Sequence, residues 1–140
     1  MLTTSVVVRA FNEERHIARL LTGIAWQTRQ PMEVVLVDSG STDATVAIAR
    51  RFPLVRVLHI EPDAFSFGRA LNLGCAAARG DLLVFASAHV YPLYRTWLEH
   101  LLEPFEDPTI ALAYGRQQGD ERTQFSELQV MRKWFPASSA

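Results

Sequence analysis

Two short segments carry most of the side chains that could do chemistry. The first is Val37-Asp38-Ser39-Gly40-Ser41-Thr42-Asp43-Ala44-Thr45. An acid that closes an apolar run needs a partner for its charge, so Asp38 is read as a ligand contact, able to accept hydrogen bonds from a base or a ribose. Ser41, Thr42 and Asp43 are read as turn and helix-cap residues around the tight turn that Gly40 permits. The second segment is Phe85-Ala86-Ser87-Ala88-His89-Val90-Tyr91-Pro92. A histidine two residues beyond a serine could ligate a metal or donate to a phosphate, although a lone histidine is more often structural.

Smaller signals accompany them. Arg69 and Asn72 stand three apart, which on a helix puts them on one face, suited to holding a phosphate or simply to facing water. Phe11, in Arg9-Ala10-Phe11-Asn12-Glu13-Glu14, either staples the following helix or lines a pocket for a planar base. That loop lacks the GxGxxG pattern of dinucleotide folds, which argues against a nicotinamide or flavin enzyme. A GxxxxGK[ST] phosphate loop is excluded too, since the only lysine is Lys133. His16, His59 and His100 have no partner spacing and are read as structural, and Cys75 as an inert buried thiol.

The elements that must position these residues follow from the hydrophobic period. Ser5–Ala10, Glu33–Val37, Leu54–Ile60 and Leu82–Ala86 read as short buried parallel strands, and Thr109–Tyr114 as a fifth. Between them lie helices. Asn12 caps the first, Glu13 and Glu14 fill its first turn, and Ile17, Leu20, Leu21 and Ile24 form its buried face. A second helix starts at Ser41 or Thr42 and runs to Arg51, burying Val46, Ile48 and Ala49. A third spans Phe67 to Arg79, capped by Ser66 and ended by Gly80, with Phe67, Ala70, Leu71, Gly74 and Ala78 on its apolar face. A fourth begins near Pro92 and carries Trp97, Leu98, Leu101 and Leu102.

Strands alternating with helices predict an α/β fold, a mainly parallel sheet with helices on both faces. Ligands in such sheets bind at the carboxyl ends of the strands. The rule singles out Arg9–Glu14, Asp38–Thr45, Glu61–Asn72 and Ser87–Pro92.

Composition sets the outer bounds. The chain has 140 residues, 49% hydrophobic, with 14 basic and 15 acidic side chains, so it suits one domain and lacks the basic field of a nucleic-acid binder. One cysteine excludes an intramolecular disulfide. The longest good apolar stretch, Leu82–Ala86, is far too short to span a bilayer, and a strand immediately after Met1 leaves no expected leader peptide. A cytoplasmic protein, or one peripheral at the membrane, is expected.

Taken together, Val8–Glu14, Val37–Asp43, Ala70-Leu71-Asn72-Leu73-Gly74 and Ala78-Arg79-Gly80-Asp81 resemble glycosyltransferase family 2 in order and spacing over residues 4–115. The resemblance implies a Rossmann-like GT-A nucleotide-binding domain. It also implies transfer of a sugar, with inversion, from a nucleoside diphosphate sugar to a glycan or lipid-linked acceptor. By position, Phe11 matches the aromatic packed on the donor's base and Asp38 the acid that hydrogen-bonds it. Asn72 matches an asparagine near the diphosphate, and Arg69 and Glu14 join them as expected donor-binding residues. The family's arginine directly before that asparagine is Leu71 here.

Ser87-Ala88-His89 falls where the family has Asp-x-Asp. The resemblance gives Ser87 the ribose and makes His89 a catalytic residue and ligand of Mn²⁺ or Mg²⁺, with imidazole favouring Mn²⁺. A protonated His89 could instead stabilise the leaving diphosphate without a metal. Serine and histidine here resemble a rhamnosyl or exopolysaccharide-type subgroup. The expected base is Asp120, Glu121 or Glu127.

Residues 1–115 are thus expected to bind the donor and 116–140 to begin an acceptor region that is cut short, so that the chain alone is not expected to transfer sugar. Homo-oligomerisation is left open. The alternative reading is a non-catalytic nucleotide-binding or degenerate transferase domain. A sugar nucleotidyltransferase would need a Gly-rich basic loop after the first strand. A receiver-like module would need a lysine after the fifth.

Overall fold

The computed structural model describes residues 1–118. Within them the chain forms β1 (Thr4–Ala10), α1 (Ile17–Ala25), β2 (Glu33–Asp38), α2 (Thr45–Ala49), β3 (Val55–His59), α3 (Phe67–Ala77), β4 (Leu82–Ser87) and α4 (Trp97–Leu102). Short 3₁₀ turns cover Pro62–Ala64 and Glu103–Glu106. The chain divides into two compact units, Met1–Glu99 and His100–Ala140.

In the first unit all four strands are parallel, in the order β3-β2-β1-β4. Each parallel pair needs a crossover, and α1, α2 and α3 supply the three. The Val-rich centres of β1 and β2 are buried at successive residues and hence on both faces: Val7, Val35 and Val37 to one side, Val6, Val8 and Leu36 to the other. α3 packs on the first of these faces. It approaches so closely at Gly74 that a Cβ there would lie 2.5 Å from Val7 Cγ1 and 3.2 Å from Val37 Cγ2. α1 buries Ile17, Leu20, Leu21 and Ile24, the face its period predicts. The α/β, Rossmann-like reading of the sequence agrees with this sheet.

A polar staple ties the amino ends of the strands together. Glu33 Oε1 accepts from Ser5 Oγ at 2.9 Å and from the Arg79 N–H at 2.8 Å, while Oε2 accepts from Arg56 at 2.9 Å. Burial works to raise the Glu33 carboxyl, but the hydrogen bonds from Arg56, Arg79 and Ser5 outweigh it and hold the group below its ordinary range.

Several elements differ from the sequence expectation. α2 is short, beginning at Thr45, because Ser41, Thr42 and Asp43 are engaged by the β1–α1 loop; it buries Thr45 and Ala49, with Val46 and Ile48 only half-buried. α3 has its Ser66 cap, whose Oγ accepts from the Arg69 N–H at 3.1 Å, but it ends at Ala77, where Ala78 turns extended. Its apolar face is narrower than expected: Ala70 and Gly74 are buried, whereas Phe67 is exposed. Asn12 does not cap α1, since its side chain is drawn away to the backbone of Thr42. α4 starts at Trp97 rather than near Pro92.

In the second unit, Thr109–Tyr114 forms no strand. Thr109 is held in a local turn, its N–H and Oγ1 both donating to Asp107 Oδ1 at 2.9 and 2.7 Å, and the following residues run irregularly. Those bonds also hold the Asp107 carboxyl below its ordinary range. Among the described residues no helix is long and apolar enough to cross a membrane.

Candidate functional site

The strand register lines up the carboxyl ends. Ala10 pairs with Asp38, Asp38 with His59, and Arg9 with Ser87. Thus the last residues of β3, β2, β1 and β4 open onto the same end of the sheet, where parallel α/β folds bind ligands.

Two loops frame that end and are stitched to each other. Asn12 N–H donates to Ser41 Oγ at 2.9 Å, and Thr42 N–H donates back to Asn12 Oδ1 at 2.8 Å. Glu13 N–H donates to Thr45 Oγ1 at 2.8 Å, and Ala44 N–H to Glu14 Oε2 at 3.0 Å. Two residues take left-handed backbone to make this possible, Asn12 at φ 50° and Gly40 at φ 96°. Asp43 accepts from Thr45 and from the Glu14 N–H. Partial desolvation works to raise its carboxyl, and these bonds outweigh it and keep it below the ordinary range.

Ser41, Thr42 and Asp43 are therefore loop staples. None of them is the N-cap of α2, which is Ala44. Glu14 spends its carboxylate on the Ala44 N–H.

Asp38 is 2% exposed. Its Oδ2 accepts from the Gly40 and Ser41 N–H groups, each at 3.1 Å, and His59 Nδ1 stands 3.5 Å from the same oxygen. Oδ1 has only a long 3.4 Å contact from Ser41 N–H. The turn therefore meets the need for partners that sequence reasoning took as a sign of a ligand. Oδ1 is thus the less engaged oxygen, and the His59 imidazole beside the carboxylate is more than half exposed.

At the other side of β1, Ser87 Oγ lies 3.1 Å from His89 Nδ1 and 3.3 Å from Nε2. Glu13 Oε1 lies 3.6 Å from the same Nδ1. The hydroxyl, the imidazole and the carboxylate converge from two loops, and Ala88 between them is buried, which fixes the turn. Two of these groups, His89 and Glu13, are good donors to a divalent cation. Among the described residues no three His, Cys, Asp or Glu side chains gather for a metal. The donor set fits a cation that takes the rest of its shell from substrate oxygens and water, as Mn²⁺ and Mg²⁺ commonly do beside phosphates.

The other expected residues are near the rim. Phe11 is exposed beside the loop staples. Arg69, in the first turn of α3, is exposed and donates to the Ala64 carbonyl at 3.3 Å. Asn72 is exposed one turn further on. Asp120, Glu121 and Glu127 lie outside the described residues.

Sequence reasoning missed three residues. Glu13 has the position of helix-start chemistry, yet its carboxylate faces His89. His59 has no partner spacing in the sequence, yet it closes β3 beside Asp38, where the strand-end rule extended to every strand finds it. Arg9 went unremarked, although its guanidinium lies 4.4 Å from the centre of the Phe67 ring at the start of α3, and Phe67 in turn meets Phe65 edge-on.

Comparison with known proteins adds an independent line. The family model described as glycosyl transferase family 2 matches residues 5–137. The O-antigen chain rhamnosyltransferase RfbN of Salmonella typhimurium is 27% identical over 114 residues, covering 81% of this chain and 36% of the relative. A mannosyltransferase from Pyrobaculum calidifontis, solved in complex with GDP-Man and Mn²⁺, superposes with a TM-score of 0.70 at 30% identity, over 78% of this chain and 34% of that one. The glucosyl-3-phosphoglycerate synthase of Mycobacterium tuberculosis, solved with Mn²⁺, UDP and glucosyl-3-phosphoglycerate, gives 0.63 at 29% identity, over 74% and 39%. The chain spans about a third of the length of the curated relatives it matches first.

Proposed function

We propose that this chain, which belongs to glycosyl transferase family 2, is the donor-binding part of an inverting glycosyltransferase that uses a nucleoside diphosphate sugar. One observation carries the reading: Asp38 on one side of β1 and the Ser87–His89–Glu13 cluster on the other lie at the same end of a parallel sheet. Solved relatives of the same fold hold GDP-Man or UDP together with Mn²⁺.

Phe11 would pack on the base and Asp38 would accept from it. Ser87 would bond the ribose, and Arg69 and Asn72 would face the diphosphate. His89 and Glu13 would hold the divalent cation, Mn²⁺ or Mg²⁺, which supplies charge stabilisation to the departing diphosphate. Without a cation, a protonated His89 would supply that stabilisation instead. Inversion requires a single displacement, with a carboxylate taking the proton from the acceptor hydroxyl. Asp120, Glu121 and Glu127 are the carboxylates proposed for that role. Residues 1–115 then form the donor domain, and 116–140 open the region for a glycan or lipid-linked acceptor.

Calorimetric titration with UDP, GDP and dTDP, each with Mn²⁺, Mg²⁺ or EDTA, tests the reading. At least one nucleoside diphosphate should bind, more tightly with the cation; no binding by any of them contradicts it.

A further inference from the structure

We infer that Arg9 is a diphosphate-binding residue of the donor site, its guanidinium preset by the Phe67 ring; the inference rests on the donor-site reading above. β1 is otherwise almost wholly buried, and a half-buried guanidinium near its end gives up hydration that a partner must replace. Arg9 pairs in register with Val37 on one side and Ser87 on the other. Residues paired in this way in a parallel sheet point to the same face, on strands about 4.8 Å apart. Val37 lies on the face that α3 covers, so Arg9 and Ser87 stand side by side on that face. Ser87 Oγ is in turn 3.1 Å from His89 Nδ1.

What Arg9 touches is an aromatic ring, the Phe67 centre 4.4 Å from its guanidinium carbon. Phe67 opens α3 and is 67% exposed, a large apolar side chain left in water that stacking on Arg9 explains. The ring is itself held: Phe65 meets it edge-on at 5.3 Å and packs against the core of Val35, Val37 and Ala70. Among the described residues Arg9 makes no ion pair and no hydrogen bond, so its N–H donors are unspent. Other arginines of the first unit are committed, Arg56 to Glu33 and the Ala77 carbonyl, and Arg69 to the Ala64 carbonyl. A planar fork of donors matches two oxygens of a phosphate, and one restrained on a ring loses less freedom when it binds. Phe67, Arg9, Ser87 and His89 thus form one row at the carboxyl end of the sheet. With Ser87 on the ribose and His89 at the cation, the group within reach of Arg9 is the diphosphate between them.

Calorimetric titration of the full chain as wild type, Arg9→Gln, Arg9→Lys and Phe67→Leu tests this. UDP, GDP and dTDP are screened on the wild type, and the one that binds is compared with its own nucleoside in Mn²⁺ and in EDTA. Arg9→Gln should weaken the diphosphate about tenfold or more, in EDTA as well as in Mn²⁺. The loss in EDTA separates Arg9 from Glu13 and His89, whose effect belongs to the cation. The nucleoside, which carries no phosphate, should change by less than about twofold. Arg9→Lys keeps the charge without the fork and should restore only part of the binding. Phe67→Leu should weaken the diphosphate about two- to fivefold and add nothing to Arg9→Gln. Should Arg9→Gln fail to fold, Phe67→Leu, altered at an exposed ring, carries the same test. Equal loss of nucleoside and diphosphate, or an unchanged diphosphate affinity, overturns the inference and leaves the donor site standing. Failure of every nucleotide to bind the wild type overturns both.

Discussion

Glu13 and His89 come from different strand-end loops, yet Glu13 Oε1 lies 3.6 Å from His89 Nδ1. The pairing is long-range and depends on the stitching of the β1–α1 loop, since the Glu13 backbone is itself fixed by its bond to Thr45 Oγ1. Where the family resemblance implies an Asp-x-Asp acid, the proposed cation site takes its carboxylate from another loop. A serine and a histidine at β4 would otherwise offer no negative charge to a cation.

Glu13→Gln and His89→Ala should therefore each remove most of the Mn²⁺-dependent strengthening of nucleoside diphosphate binding, a factor of about ten or more. Binding of the nucleoside alone should be unchanged. Calorimetry with and without EDTA reads this, and equal losses for nucleoside and diphosphate would contradict the assigned roles.

The Glu33 staple makes stability depend on acid. Its folded pKa is depressed from an ordinary value of 4.5. Its contribution is thus fully present above that pH and is lost as pH falls through the lower folded value. Glu33→Gln should cost about 1–3 kcal/mol at neutral pH, because Arg56 loses its buried partner. Thermal melts from pH 7 to pH 3 should bring the two proteins together at the acid end, and a constant gap across that range would show that the charge is not what matters.

Gly74→Ala should destabilise the fold even though alanine is the better helix former by about 1 kcal/mol. The added methyl would sit 2.5 Å from Val7 Cγ1, in a core that cannot expand cheaply. Overpacking of this kind costs about 1–3 kcal/mol. Adding Val7→Ala should make the double variant more stable than the sum of the single losses. A rise in melting temperature for Gly74→Ala alone would contradict the close packing of α3.

How legible this was depended on the range of the interactions. The strands were legible because runs such as Val6-Val7-Val8 and Val34–Val37 have few alternatives to a buried sheet, and α1 because Ile17, Leu20, Leu21 and Ile24 keep helical period. The helix starts were less so. Asn12 and Ser41 have the composition of caps, but they bond to each other's loops across 29 residues of sequence, a partnership that no local pattern encodes. Thr109–Tyr114 failed as a strand because Asp107 captured Thr109 in a turn. Asp38 is legible as the acid closing β2 and His59 as the last residue of β3, whereas Glu13 meets His89 only through the stitched β1–α1 loop.

The carboxyl ends of these four strands are proposed to bind a nucleoside diphosphate. The most direct measurement is calorimetric titration of the chain with GDP, UDP and dTDP in Mn²⁺ and in EDTA, with Asp38→Ala as the control. Saturable one-to-one binding of at least one nucleotide is expected, strengthened by Mn²⁺ and weakened by Asp38→Ala. Absence of binding by all three, with or without the cation, would contradict it.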